Sequence, residues 1–225
     1  MLKRHFLQSD EFKAVLAALP EHIRWSPERI ENSLRNTLSE RPADGDVWLF
    51  CYGSLIWNPV VHFIERQPAT LAGWNRSFSL GLRSGRASEA QPGRMLGLEP
   101  GGETRGVAIR FDEDSLDSEL HLLWGREMIS GAYRPVWQPI DLGSGRQVTS
   151  LVFVTDRAHP YWNEDASVKT IVPMLACASG PLGTNADYVM RLADALTDLR
   201  ARDDYIDSVA SALQRFSCSG GCAAP

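Results

Sequence analysis

The run Val47-Trp48-Leu49-Phe50-Cys51-Tyr52 constrains the fold of this chain more than any other segment. A strand with one wet face alternates apolar and polar residues; this run is apolar throughout and stops at Gly53, which predicts a strand buried on both faces. Further strands are expected at Thr70–Leu82, Arg94–Leu98, Arg105–Phe111, Tyr133–Asp141 and Gln147–Thr155, separated by turns at Pro92-Gly93, Pro100-Gly101-Gly102 and Gly143-Ser144-Gly145. One helix interrupts them, at about Asp114 to Ser130.

Helical patterns flank this β region. Ser9 can cap a helix carrying Phe12, Val15, Leu16 and Leu19, which Pro20 ends; Ser26 and Pro27 open a second with Ile30, Leu34 and Leu38 on one face. Near the other end, Val168 to Leu175 has helical spacing that Pro173 should kink or break. Tyr188, Val189, Leu192, Leu196 and Leu199 follow a Thr184 or Asn185 cap, and Ile206, Val209 and Leu213 follow Asp203. Clustered strands with helices at both ends argue for an α+β domain whose antiparallel sheet can close into a barrel. The expected boundaries are an N-terminal helical extension over 1–45, one domain over 46–216 and a flexible tail over 217–225.

Composition narrows the functions open to such a domain. The net charge of -5 and sequence pI of about 5.6 argue against nucleic acid, which needs a basic stripe. No apolar run reaches the roughly 18 residues of a membrane span. Lys3 and Arg4 lack the apolar stretch of a signal peptide behind them, so a soluble cytoplasmic protein is expected. Four cysteines do not make a disulfide framework: Cys51 and Cys177 read as small core residues, and Cys218 and Cys222 as free thiols in a frayed tail. Phosphate-loop, dinucleotide, zinc and serine-hydrolase signatures are missing, and the histidines lack ligand spacing.

Two features carry chemistry. Tyr52-Gly53-Ser54-Leu55 leaves the most hydrophobic strand, and its glycine can allow close backbone approach to a ligand, with successive N–H groups aimed at an oxyanion; a plain tight turn is the alternative. In the inserted helix Leu116, Leu120, Leu123 and Glu127 share one stripe, which turns the Glu127 carboxylate inward at the helix C-terminus. Burial and the helix dipole both raise a carboxyl pKa toward the range of a proton shuttle, unless Glu127 is instead the structural partner of Arg126 or Arg83. Arg83-Ser84-Gly85-Arg86 and Arg94 supply positive charge for an anionic substrate, with Arg86 the candidate contact.

Together these segments resemble the ChaC family of γ-glutamylcyclotransferases in its bacterial branch. The likeness runs from Val47 through Tyr52-Gly53-Ser54-Leu55-Ile56-Trp57-Asn58-Pro59, to Gln91-Pro92-Gly93-Arg94-Met95-Leu96-Gly97-Leu98, to Trp124-Gly125-Arg126-Glu127-Met128-Ile129-Ser130-Gly131-Ala132-Tyr133, and to Ala178-Ser179-Gly180-Pro181-Leu182-Gly183-Thr184-Asn185 with Tyr188. Cys51 stands where many members have Gly, and His159-Pro160-Tyr161-Trp162 replaces the Asn-x-x-Tyr-Leu-Gly of the eukaryotic branch. The resemblance implies a small, mostly antiparallel barrel and conversion of glutathione to 5-oxoproline and Cys-Gly. It implies Glu127 as general base and acid, Phe50, Cys51, Tyr52, Gly53, Ser54 and Leu55 as the γ-glutamyl site, and Arg86 and Tyr133 as further contacts. It calls for no metal or cofactor, and for a monomer or weak homodimer. A cation-transport regulatory role, or action on other γ-glutamyl amino acids or amines, remains open at this point.

Overall fold

A computed structural model of the chain describes residues 19–43 and 45–218, with Arg4 and Ser9 ahead of them. The helix expected between Ser9 and Leu19 therefore falls outside the described residues, as do Cys222 and the side chain of Cys218.

The Val47–Tyr52 run forms β1 (Trp48–Cys51), every residue of it buried. The other barrel strands are β2 (Glu65–Leu82), β3 (Gly93–Arg110), β4 (Tyr133–Leu142) and β5 (Gln147–Thr155). They close in the order β1-β3-β2-β4-β5. β1 lies antiparallel to β3, with Trp48 opposite Arg110, and parallel to β5, with Trp48 opposite Ser150. Both faces of β1 are covered, since Trp48, Leu49, Phe50 and Cys51 are all buried, and this explains its unbroken apolar pattern. Phe50, Phe78, Leu80, Leu98 and Ile109 fill the core, each contributing about 1.5–3 kcal/mol on burial.

One expected turn is a bulge instead. Pro100-Gly101-Gly102 does not separate two strands: β3 runs unbroken through it, and the pairing with β2 slips between Ala72 and Trp74. Gly101 and Gly102 face the single residue Gly73, and all three have positive φ. The glycines bend a long hairpin without ending it, as residues that tolerate that backbone region can.

The helices are α1 (Pro27–Ser39), α2 (Leu116–Glu127), α3 (Val168–Cys177), α4 (Asn185–Asp198) and α5 (Asp204–Cys218), with a small ribbon of β6 (Ser179–Gly180) and β7 (Gly183–Thr184) between α3 and α4. The caps are those expected. Ser26 Oγ accepts from the Arg29 N–H, Thr184 Oγ1 from Asp187 and Asp203 Oδ1 from Ile206. Pro173 does not break α3, whose buried Ile171, Val172 and Leu175 tie both halves to the body. Cys177 is disulfide-bonded, which corrects its reading as a simple core residue; Cys51 is free and buried.

The extension is fastened to the domain by α1. Trp124 Nε1 donates to Ser33 Oγ, and Trp137 Nε1 donates to the Thr37 carbonyl. Arg4 also reaches into the domain, pairing with the buried Glu119 at 2.5 Å. α2 is shorter than expected, running over Leu116–Glu127 behind a 3₁₀ turn, with Leu116, Leu120, Leu123 and Trp124 buried. The Trp124 ring meets Phe153 of β5 edge-on at 5.2 Å. That packing sets the last residue of α2 beside the loop leaving β1.

Candidate active site

Glu127 is that last residue, and it stands where periodicity puts it, on the stripe of Leu116, Leu120 and Leu123. Its side chain is 16% exposed, and Arg126 Nε lies 3.0 Å from its Oε1. Glu127 is thus both turned inward and paired with Arg126. Burial raises its pKa above the ordinary glutamate value, and the Arg126 charge opposes that without cancelling it.

Arg126 does more than neutralise. Its Nη2 donates to Ser54 Oγ at 2.6 Å and its Nη1 to the Asn58 carbonyl at 3.0 Å. One guanidinium therefore ties the carboxylate of α2 to the loop after β1. Ser54 begins a 3₁₀ turn (Ser54–Ile56). Gly53 has φ -126°, so no left-handed conformation is needed there; close approach is the constraint, because a Cβ on it would stand 2.8 Å from the Tyr188 hydroxyl. That hydroxyl accepts the backbone N–H of Ser54.

The segment after Glu127 is clamped on two sides. Gly131 ends the helix region with φ +65°, the Trp25 N–H donates to the Ile129 carbonyl at 2.8 Å, and His159 Nε2 lies 3.1 Å from the Ser130 carbonyl. His159 Nδ1 accepts from the Tyr161 N–H, which assigns the proton to Nε2. Burial lowers the His159 pKa, which keeps the ring neutral in this role.

These groups line a cavity of about 260 Å³. It is near the lower limit of the roughly 300–1,000 Å³ usual for small-molecule sites, and so fits a ligand the size of a short peptide. Ser54, Glu127, Arg86 and Tyr133 face it, with Arg126, Tyr188, Arg94 and Tyr161. Phe50, Cys51, Tyr52, Gly53 and Leu55 are not in its lining and stand behind the wall. Tyr52 donates to the Phe153 carbonyl and Tyr133 to the Leu96 carbonyl, so these buried phenols brace the frame. Burial first, and the nearby Glu127 charge second, holds the Tyr188 phenol up at about 12, a neutral hydrogen-bond donor. Burial likewise pushes the Cys51 thiol up to about 12, which removes it as a nucleophile.

Positive charge gathers at the same cavity. Arg86 Nη1 donates to the Thr184 carbonyl, and burial together with Arg191 lowers the Arg86 pKa. Arg94 is 6% exposed, and its Nε and Nη1 have no hydrogen-bond partner among the described residues. Sequence reading named Arg126 only as a possible ion partner and missed its bridge to Ser54; no local signal carries a contact between residues 72 positions apart. A larger groove of about 590 Å³ lies at Arg76, Arg105, Arg202 and Asp203, where the charges already satisfy one another. Among the described residues no cluster of His, Cys, Asp and Glu side chains forms a metal site, and no helix is long and apolar enough to cross a membrane.

A closed five-strand barrel with flanking helices, holding a buried carboxylate of raised pKa against a strand-exit loop, is the framework of a small-barrel enzyme. The family model described as "ChaC-like protein" matches residues 47–215, and the chain belongs to that family. It is 45% identical over 216 residues to the glutathione-specific γ-glutamylcyclotransferase of Escherichia coli K12, covering 96% of this chain and 94% of that one. With glutathione-specific γ-glutamylcyclotransferase 1 of Rattus norvegicus it shares 29% identity over 193 residues, 80% of this chain and 86% of the other. The fold matches the crystal structure of a yeast γ-glutamyl cyclotransferase specific to glutathione with a TM-score of 0.70 at 20% identity, over 77% of this chain and 97% of that one.

Proposed function

We propose that this chain is a glutathione-specific γ-glutamylcyclotransferase, releasing 5-oxoproline and Cys-Gly. The observation that carries the reading is the Glu127 carboxylate, raised in pKa by burial and tied through Arg126 to Ser54 across the cavity.

The reaction needs no nucleophile from the protein, because the substrate's own α-amine attacks its γ-carbonyl carbon. Ionised Glu127 takes a proton from the α-ammonium group. The amine nitrogen then bonds to the γ-carbon, closing the five-membered ring, and the bond from that carbon to the cysteinyl nitrogen breaks. Glu127 returns its proton to the leaving nitrogen, and the second proton that the ring nitrogen sheds on becoming an amide also ends on the Cys-Gly amine, so Glu127 ends as it began. Ser54 is the member of the loop after β1 that faces the γ-glutamyl group, with Tyr52, Gly53 and Leu55 supporting it from behind, and the neutral Tyr188 hydroxyl stands beside it as a donor to the carbonyl oxygen as negative charge develops there. Holding amine and carbonyl together in a small cavity supplies the proximity contribution. Arg86 and Tyr133 are the further contacts of this reading; Arg86 brings charge to a substrate carboxylate.

All these groups belong to one chain, so the reading suits a monomer or weak homodimer, and the acidic surface suits a small-molecule substrate better than nucleic acid. A glutathione substrate implies the cytoplasm as the compartment, whereas the Cys177 disulfide is of a kind rare there. Incubating pure protein with glutathione and with γ-glutamyl-alanine, then measuring 5-oxoproline, tests the reading. Release from glutathione alone supports it. Equal release from both would broaden it to other γ-glutamyl compounds, and release from neither would leave a binding or regulatory role.

A further inference from the structure

We infer that the N-terminal extension supplies part of the substrate wall, with Ile23 as a residue that sets which side chain is accepted next to the γ-glutamyl group. The inference rests on the cyclotransferase reading above. It starts from an anomaly of burial. Residues 20–25 form a turn in which the Ile23 and Arg24 N–H groups both donate to the Pro20 carbonyl. Glu21, His22 and Arg24 of that turn are exposed, yet Ile23 between them is 5% exposed. It is covered because it enters the cavity that holds Glu127, where Leu19 joins it in the lining.

The turn is fastened so that Ile23 cannot withdraw freely. The Trp25 N–H holds the Ile129 carbonyl, two residues beyond Glu127. The Trp25 ring fills the space over Gly131, and the Arg29 guanidinium lies over the ring, 4.0 Å from its centroid. On the cavity side the His22 ring meets Tyr161 edge-on at 6.4 Å, and Tyr161 in turn lies under Arg83 at 5.2 Å. Leu19, His22, Ile23, Trp25 and Arg29 all lie before residue 47, where the family match begins.

Leu19, Ile23 and Ile129 give the cavity an apolar side, whereas Arg83, Arg86 and Arg126 make other parts of it cationic. A γ-glutamyl peptide carries carboxylates for the cations. Once its γ-glutamyl methylenes are held beside Ser54, its remaining apolar group is the side chain of the second residue, which in glutathione is a thiol on one methylene. The apolar side is therefore matched to that short side chain, and the bulk of Ile23 limits what can replace it.

The test compares glutathione with S-methylglutathione and S-benzylglutathione as substrates for the full chain and for Ile23→Ala. Room created by the smaller residue should raise the kcat/KM ratio of S-benzylglutathione to glutathione by about tenfold or more, within the range hydrophobic pockets achieve per group removed. Ile23→Trp, which fills space, should raise KM for glutathione while the ratio falls. Calorimetric binding of the same compounds runs in parallel. A protein that binds glutathione but does not turn it over would remove the activity reading alone, and the binding ratio would still judge Ile23. Folded variants, checked by circular dichroism and melting, whose ratios match the wild type in both measurements would overturn the inference; so would a wild type that neither binds nor converts any of the compounds.

Discussion

The hydroxyl oxygen of Tyr188 lies 2.8 Å from the position a Cβ would take on Gly53. The glycine is required here by a neighbour, and the neighbour belongs to a helix 135 residues further along. Gly53→Ala should lower stability by about 1–3 kcal/mol, the usual range for overpacking, and displace the phenol from Ser54. In a Tyr188→Phe background, which lacks the oxygen, the same substitution should do less harm. Urea unfolding of the four proteins of this cycle measures the coupling; additive effects would show that the contact does not decide the choice of glycine.

Glu127→Gln keeps shape and accepts the Arg126 hydrogen bond but cannot take a proton. Turnover of glutathione should fall by about 10²–10⁴-fold, the usual contribution of a general acid–base group, with binding retained. Turnover within a few-fold of wild type would sink the proton-transfer role.

The pH dependence of stability follows from the direction of the Glu127 shift. Its folded pKa is raised by burial, so the folded state holds this proton more tightly than the unfolded chain. The contribution to stability is complete below the unfolded glutamate value and is lost as pH rises through the folded value. Melting curves between pH 4 and 8 should show wild type losing stability relative to Glu127→Gln as pH rises. The acid limb of kcat/KM should mark the same group, above the ordinary glutamate range, because the base must be ionised. A difference between the two proteins that does not change with pH would contradict the assignment.

Arg126→Met tests the bridge. It leaves Glu127 buried without its cation and removes the Arg126 bonds to Ser54 Oγ and the Asn58 carbonyl together. Stability should fall by up to about 3 kcal/mol, less than for a carboxylate forced to stay charged, since Glu127 can take up a proton. The acid limb of the rate profile should move to higher pH. An unmoved limb would mean that Arg126 holds the loop but does not tune the acid.

Dialysis against a chelator should leave the activity intact, since the proposed chemistry uses only the substrate amine and Glu127. Loss of activity that zinc restores would require a different mechanism.

What could be read from the sequence was local. The burial of β1, the caps at Ser26, Thr184 and Asp203, and the inward turn of Glu127 each follow from a few neighbouring residues. At Pro100-Gly101-Gly102 the local signal was real but ambiguous, since glycines with positive φ serve a bulge as well as a turn; pairing with β2 across Gly73 decides between them. The Arg126 bridge, the Tyr188 contact and the insertion of Ile23 join distant parts of the chain. No periodicity records such meetings.

The closure of β1 against β5 has a kinetic consequence. Trp48 must find Ser150, and Tyr52 must find the Phe153 carbonyl, before the strand that launches the substrate loop has its second neighbour. Such distant pairings carry loop-closure entropy ahead of their reward, and they place a fold among the slower small domains, on the order of milliseconds to seconds. Because Ser54 and Glu127 are aligned only after that step, recovery of activity during refolding should lag the return of helical signal. Enzyme assays taken along a refolding time course would therefore report the moment the ring of strands is sealed.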